Sequence, residues 1–255
     1  MNITTVQWNI GGGKILQDGQ DPLLMASYNQ DGMDHILGFL RSVSPDIVTL
    51  QEVHADDHLN QAELIAKKLQ LEYCISDFNA DSHIEEGQRL GHAIISRYPI
   101  TNQFFELYVN LNKQVIGEDG RLWKMHDKGY TRCTINVDGT PIEVTTTHLI
   151  PMRRFGVDYT SDEGRYVLDD VQKKLASPGD RQLIQADFNL DLALLEPALP
   201  NLITNGLSEV RQDAVTTPNG RRYDHVLYKG LDLIKSSVDN TVLTDHYPIT
   251  TTLSL

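Results

Sequence analysis

Polar and acidic residues recur in this chain where apolar, strand-like runs end: Asn9, Glu52, His148, Asp187 with Asn189, and Asp245 with His246. Each one alone reads as a turn residue, because Asn and Asp side chains satisfy neighbouring backbone groups locally. Five such endings in one chain read differently. Strand ends along one edge of paired sheets form a crevice, and rigid elements hold side chains to the tolerance that catalysis needs. The set offers oxygen donors without a thiolate cluster, which favours a hard cation, Mg²⁺ or Mn²⁺, over zinc. Carboxylates of Glu52 and Asp245 would hold that ion against a phosphate oxygen while an imidazole donates a hydrogen bond to the developing charge. Asp187 would orient or deprotonate a water in line with the scissile bond. The chemistry implied is metal-assisted phosphoester hydrolysis.

The elements that must position these groups follow from hydrophobic periodicity. A strand is predicted over Ile3 to Ile10, stopped by Gly11-Gly12-Gly13. Helical spacing over Asp34 to Val43 ends before Pro45, and a buried strand over Asp46 to Leu50 carries Gln51-Glu52 at its C-terminal end. A second helix over Leu59 to Leu69 and a strand over Leu71 to Ser76 complete a βαβα opening. Strands are then expected over His92 to Ser96, Gln103 to Val109, Tyr130 to Val137 and Pro141 to Thr147, with Asp138-Gly139 as a hairpin turn between the last two. An amphipathic helix over Glu163 to Leu175 precedes a strand over Arg181 to Gln185, and the tail holds strands over Tyr223 to Tyr228, Leu231 to Val238 and Tyr247 to Leu253. This pattern predicts an α+β fold of mixed sheets packed together and covered by helices. No repeat, low-complexity tract or proline-rich linker divides it, so residues 1–255 read as one domain.

Composition excludes several classes. The 255 residues are 40% hydrophobic and 22% charged, which rules out disordered, collagen-like and coiled-coil chains. Lysine and arginine total 22 against 35 acids, a net charge of −13, so attraction to a polyanion has to be local. Two cysteines, Cys74 and Cys133, cannot build a disulfide framework or a four-cysteine zinc site. The N-terminus lacks the basic and apolar regions of a signal peptide, and no apolar run approaches the roughly 20 residues of a membrane span, so a cytoplasmic protein without a membrane anchor is expected. Gly11-Gly12-Gly13-Lys14 lacks the spacing and following hydroxyl of a phosphate loop. The doublets Arg153-Arg154 and Arg221-Arg222 lie close to the polar strand ends and are candidates for substrate phosphates. The long polar stretch from Asn110 to Gly129 reads as a cleft wall, with Trp123 available to stack on a base, whereas His35, His54, His58, His83 and His126 read as solvated.

Seven short motifs then carry a family resemblance: Trp8-Asn9-Ile10, Leu50-Gln51-Glu52-Val53, the run from Gly91 to Pro99, Thr147-His148-Leu149, the run from Ala186 to Leu190, the run from Arg222 to Leu227, and Thr244-Asp245-His246-Tyr247-Pro248. They resemble the endonuclease/exonuclease/phosphatase superfamily, appear in that family's order and span nearly the whole chain. That family includes pancreatic-type deoxyribonuclease, abasic-site endonucleases, neutral sphingomyelinases, inositol polyphosphate phosphatases, tyrosyl-DNA phosphodiesterases and deadenylases.

The resemblance implies a deoxyribonuclease-like, four-layer sandwich of two mixed β-sheets flanked by helices. It implies that Asn9, Glu52 and Asp245 form the metal side of the site, that Asp187 is the water-orienting carboxylate and that Asn189 is the phosphate-positioning amide. His148 and His246 resemble the two histidines flanking the scissile phosphate, and Asp224 resembles the carboxylate that holds His246. Adjacent strand residues point to opposite faces, so of Asp224 and His225 the cleft residue is expected to be Asp224. Arg132 occupies the place of a phosphate-facing arginine, and the support for His148 aligns only loosely, with Glu85 or Glu86. Where some relatives place an acid two residues after the first asparagine, this chain has Gly11.

The function implied is a Mg²⁺- or Mn²⁺-dependent phosphodiesterase acting on DNA or RNA. The runner-up is a phosphatase or sphingomyelinase-type hydrolase. A catalytically silent binding module is disfavoured because every candidate position holds a competent residue. The expected partner is the phosphoester substrate, with the chain acting as a monomer.

Overall fold

The computed structural model describes residues 1–117, 120–211 and 213–255. In chain order the elements are β1 (Asn2–Asn9), β2 (Lys14–Leu16), β3 (Tyr28–Asp31), α1 (Met33–Val43), β4 (Ile47–Ala55), α2 (Gln61–Leu69), β5 (Tyr73–Asp81), β6 (Arg89–Ser96) and β7 (Ile100–Leu107). There follow β8 (Gln114–Ile116), β9 (Leu122–Lys124), β10 (Gly129–Val137), β11 (Thr140–His148), α3 (Asp162–Leu175), β12 (Gln182–Asp187), α4 (Pro200–Thr204), β13 (Ser208–Glu209), β14 (Asp224–Lys229), β15 (Asp232–Val238) and β16 (Ile249–Ser254).

Two six-stranded sheets form, in the orders β15-β16-β1-β4-β6-β5 and β13-β14-β12-β11-β10-β7. Each contains one parallel pair, β1 with β4 and β11 with β12, crossed by α1 and α3 respectively. The other pairs are antiparallel, which makes both sheets mixed.

Apolar side chains fill three layers between four. Ile36, Leu37 and Leu40 of α1 pack on Val6, Trp8 and Leu50 outside the first sheet. Val167, Leu168, Val171 and Leu175 of α3 pack on Ile184, Ala186 and Leu227 outside the second. Between the sheets lie Ile3, Ile47, Ile94, Cys133, Ile135, Val144, Leu183 and Val226. The result is an α/β/β/α sandwich, the expected architecture. Side-chain caps start two of the helices: Asn60 accepts from the backbone N–H groups of Ala62 and Glu63, and Ser161 from that of Gly164.

Strand alternation carries the middle layer toward the site. Ile3, Thr5, Gln7 and Asn9 share one face of β1, the face turned to the other sheet. Along that face the apolar contacts give way to hydrogen bonds. Gln185 Nε2 donates to Thr5 Oγ1 at 2.8 Å, Gln7 Nε2 donates to Gln51 Oε1 at 2.7 Å, and Gln51 Nε2 donates to Thr146 Oγ1 at 2.8 Å. Beyond this polar seam the sheets open into a cleft.

Some boundaries differ from expectation. The strand expected from Leu71 runs nine residues, Tyr73–Asp81, because β6 pairs with it throughout, and the last strand begins at Ile249 because the Tyr247 N–H is taken by the Thr216 carbonyl. The hairpins β2–β3 and β8–β9 were not legible as strands. The second lies within the wall expected over 110–129, of which residues 118 and 119 are outside the described residues. Among the described residues no helix is long and apolar enough to cross a membrane.

Candidate active site

Every predicted strand-end group reaches the same end of the sandwich. Asn9, His148 and Asp187 continue the inter-sheet faces of β1, β11 and β12. Glu52 gets there by a different route. Strict alternation would place it with Leu50 on the helix side of β4, but the register skips between Gln51 and Val53 and Glu52 adopts φ +52°. This one-residue bulge turns the carboxylate into the cleft while Val53 resumes packing under the helices. Asn189, at φ +51°, makes a similar turn after Asp187.

Hydrogen bonds then fix the groups. Asp187 Oδ2 accepts from Asn9 Nδ2 at 3.0 Å, and its Oδ1 accepts from the Asn189 N–H at 2.8 Å. His246 Nδ1 donates to Asp224 Oδ2 at 2.8 Å, and Gln7 Nε2 donates to Asp224 Oδ1 at 3.0 Å. The Trp8 indole anchors the segment by donating to the His246 carbonyl at 3.0 Å. His246 Nε2 lies 3.7 Å and His148 Nε2 3.5 Å from Asp187 Oδ2, so the two imidazoles converge on one carboxylate. His225 points the other way, to Glu209 Oε1 at 2.9 Å, behind the sheet.

The two histidines are in opposite electrical states. Burial by itself pulls the His246 imidazole down, but the carboxylates of Asp224 and Asp187 overcome it and hold the ring well above its ordinary value. His148 is held well below, by burial first and then by the Lys128 ammonium. Lys128 Nζ lies 3.0 Å from His148 Nδ1 and 3.5 Å from its Nε2, and the shorter contact favours a ring that accepts at Nδ1 and carries its proton on Nε2. Burial raises Asp187 to about 7, partly offset by His246.

The donor set fits a divalent cation. Glu52 and Asp245 line the cleft with Asn9, whose Oδ1 accepts from the Gly11 N–H at 3.0 Å and keeps a second lone pair, so the three would offer an ion oxygens. Asp245 Oδ1 is buried and has no hydrogen-bond partner, and burial together with the Glu52 charge raises this carboxyl to about 6. An ion between these acids would satisfy the orphaned oxygen and relieve the repulsion. Gly11 leaves room for Asp245, since a Cβ there would lie 2.7 Å from Oδ1. Asp187, Asp224 and His246 also gather within 4.8 Å of one another. Both Asp224 oxygens are already engaged, by Gln7 and His246, so that trio suits proton handling.

The cleft encloses about 660 Å³. One wall carries His83, Trp123, Lys124, His126, Lys128, Arg153 and Arg154, with the Arg154 guanidinium 4.4 Å over the Trp123 ring. The other presents Pro22, Leu23, Met25, Tyr28 and Tyr223.

Several expectations are corrected here. Arg132 does not face the cleft. It alternates with Thr131 and Cys133 onto the outer face of β10, where its Nη2 donates to the Lys174 and Leu175 carbonyls at the end of α3. Arg221 is committed to Asp191 at 2.7 Å. His83 is exposed as expected and His126 half-buried, but both line the cleft wall, and His54 is buried against Gly12. Glu85 pairs with Lys14 at 2.6 Å and does not support His148. Lys128 is the functional residue that the sequence reading missed. Hairpin arithmetic could have found it: the Asp138-Gly139 turn sets Val137 opposite Thr140 and Tyr130 opposite Thr147, which brings the residues just before Tyr130 level with His148.

A model of the Endonuclease/Exonuclease/phosphatase family matches residues 6–246. No curated protein matches the sequence. An endonuclease/exonuclease/phosphatase from Beutenbergia cavernae superposes with a TM-score of 0.69 at 18% identity, covering 100% of this chain and 72% of that one. A mannosyl-6-phosphatase from Bacteroides thetaiotaomicron gives 0.64 at 15% identity, covering 99% and 100%. A D. rerio TDP2 complexed with single-strand DNA product gives 0.61 at 14% identity, covering 100% and 99%.

Proposed function

We propose, from the premise that this chain belongs to the endonuclease/exonuclease/phosphatase family, that it is a Mg²⁺- or Mn²⁺-dependent phosphodiesterase acting on DNA or RNA. Membership makes it a metal-dependent phosphoester hydrolase; the metal, the substrate and the residue roles are the reading offered here. The observation that carries it is the Asp224–His246 pair facing Asp187 across the same cleft as Asn9, Glu52 and Asp245.

Asn9, Glu52 and Asp245 would hold the cation, which when bound supplies Lewis-acid polarisation of a phosphate oxygen. Asp187, oriented by Asn9 Nδ2 and the Asn189 N–H, positions the attacking water and takes its proton, a task its raised pKa suits. His246, cationic at neutral pH, directs Nε2–H to a phosphate oxygen as negative charge develops there. His148 donates from Nε2 as a neutral imidazole. Arg153 and Arg154 supply charge along one wall and Trp123 an aromatic face, a combination suited to a nucleotide chain.

A second reading, a phosphatase on a compact phosphorylated molecule, is favoured by the limited cleft volume of about 660 Å³. A panel of oligonucleotide, plasmid, sugar phosphate, phosphoinositide and sphingomyelin, each with Mg²⁺ and with chelator, separates the two. Cleavage of internucleotide bonds is the expected result. Turnover of monoesters alone would replace the nucleic-acid reading, and full activity in excess chelator would remove the metal.

A further inference from the structure

Lys128 is only 8% exposed, yet it lines the cleft. Its ammonium touches His148 Nδ1 at 3.0 Å, and no carboxylate among the described residues is in ion-pair contact with it. Burial pulls the ammonium down, and the charges of Glu52 and Asp187, beyond ion-pair contact, offset only part of that cost; a bound anion would supply the rest. His83 and His126 stack beside it with ring centroids 5.9 Å apart, and Arg154 stands on the same wall. The acids that line the cleft, Glu52, Asp187 and Asp245, belong to the reacting centre. In a chain of net charge −13, this wall concentrates ring nitrogens, an ammonium and a guanidinium, although Glu52 Oε1 approaches His83 Nε2 to 3.9 Å.

One scissile phosphate cannot use all of these donors. His148 Nε2 and His246 Nε2 already converge near Asp187, whereas Lys128 Nζ, 3.0 Å from His148 Nδ1 and 3.5 Å from its Nε2, also stands near His83 and His126. We propose that Lys128, His83, His126 and Arg154 form a second anion subsite beside the reacting centre, which binds a non-scissile phosphomonoester of the substrate. Donors of three kinds approaching from several directions match a tetrahedral dianion better than a planar, singly charged carboxylate. The inference rests on the reading of this cleft as a phosphoester hydrolase site. The phosphate has two sources, the terminal phosphate of a nucleic-acid end or the second phosphate of a compact phosphorylated sugar.

The test uses two matched substrate pairs with Mg²⁺: a short oligonucleotide with and without a terminal phosphate, and a sugar bisphosphate with its monophosphate. Charge-assisted hydrogen bonds should favour the phosphorylated member by about 10-fold or more in kcat/KM. The pair showing the preference names the source. In Lys128→Met, checked for an unchanged melting curve, that ratio should collapse toward one. Arg154→Ala, on an exposed side chain and so without risk to folding, should reduce it several-fold. Equal turnover of both members of each pair by the wild type overturns the subsite. So does a Lys128→Met variant that slows both members equally, which would place the lysine at the reacting phosphate, or an unchanged ratio in Arg154→Ala. Turnover of the sugar phosphates but not of oligonucleotides would instead end the nucleic-acid reading and leave the subsite standing.

Discussion

His148 and His246 face Asp187 from opposite protonation states, and their surroundings explain why: burial and the Lys128 ammonium act on His148, the Asp224 carboxylate on His246. Alanine at either should lower kcat by roughly 100-fold or more, because in the proposed function each donor acts on charge that develops in the transition state. Melting temperature should barely move. Asp224→Asn should give a milder loss that is not additive with His246→Ala, since the carboxylate acts through the ring. Near wild-type kinetics in either alanine variant would remove that histidine from the mechanism. Imidazole ¹H–¹⁵N spectra of the metal-free protein give an independent check. His246 should remain charged as pH rises through 6.5, because its folded value is raised, and stabilisation from its pair with Asp224 is lost only as pH rises through that folded value. His148 should remain neutral as pH falls below 6.5, because its folded value is depressed. Two rings titrating together near 6.5 would contradict both assignments.

At the scale of elements, turns and bulges aim what the strands carry. The Glu52 bulge rotates one carboxylate by one face, and the loop Gly11–Gly13 packs its backbone against residues that a side chain would displace. Gly12 has φ +65°, and a Cβ there would fall 2.2 Å from His54 Cε1. Gly12→Ala should therefore cost about 2 kcal/mol in denaturant unfolding, the sum of a left-handed backbone penalty and overpacking. Asn60→Ala, which removes the α2 cap far from the chemistry, should cost about 1 kcal/mol and leave kcat unchanged. A Gly12→Ala protein as stable as wild type would mean that the loop has room the structure denies it.

For the whole molecule, the acids at the cleft are an electrostatic burden that a cation lifts. Mg²⁺ should raise the melting temperature, with stabilisation of about 2.7 kcal/mol at a hundredfold excess over Kd, and chelator should reverse the shift and abolish turnover together. Glu52→Gln should shrink the Mg²⁺-induced shift without lowering the metal-free melting point, since it removes a charge that raises Asp245. A metal shift of wild-type size in that variant would take Glu52 out of the metal site. The net charge of −13 makes the cationic wall beside Arg154 the local exception on which anion binding depends.

The polar strand ends and the layered fold were legible in the sequence, because strand ends, helix spacing and turn signals are local properties. Parity along a strand showed that Asp224 and His225 face opposite ways, and the family resemblance chose Asp224. Three matters were decided only by the tertiary structure. Arg132 and Lys128 lie four residues apart, a spacing that would put both on the outer face of a regular strand, but Lys128 precedes the first residue of β10 and enters the cleft. The bulge at Glu52 exists because β6 pairs around it, and local spacing does not record that register skip. The states of the two histidines follow from burial of His148 and from partners 20 and 22 residues away, Lys128 and Asp224, brought there by a hairpin and a sheet edge. Side-chain chemistry is written residue by residue, but its direction and its charge state are set by neighbours that only folding supplies.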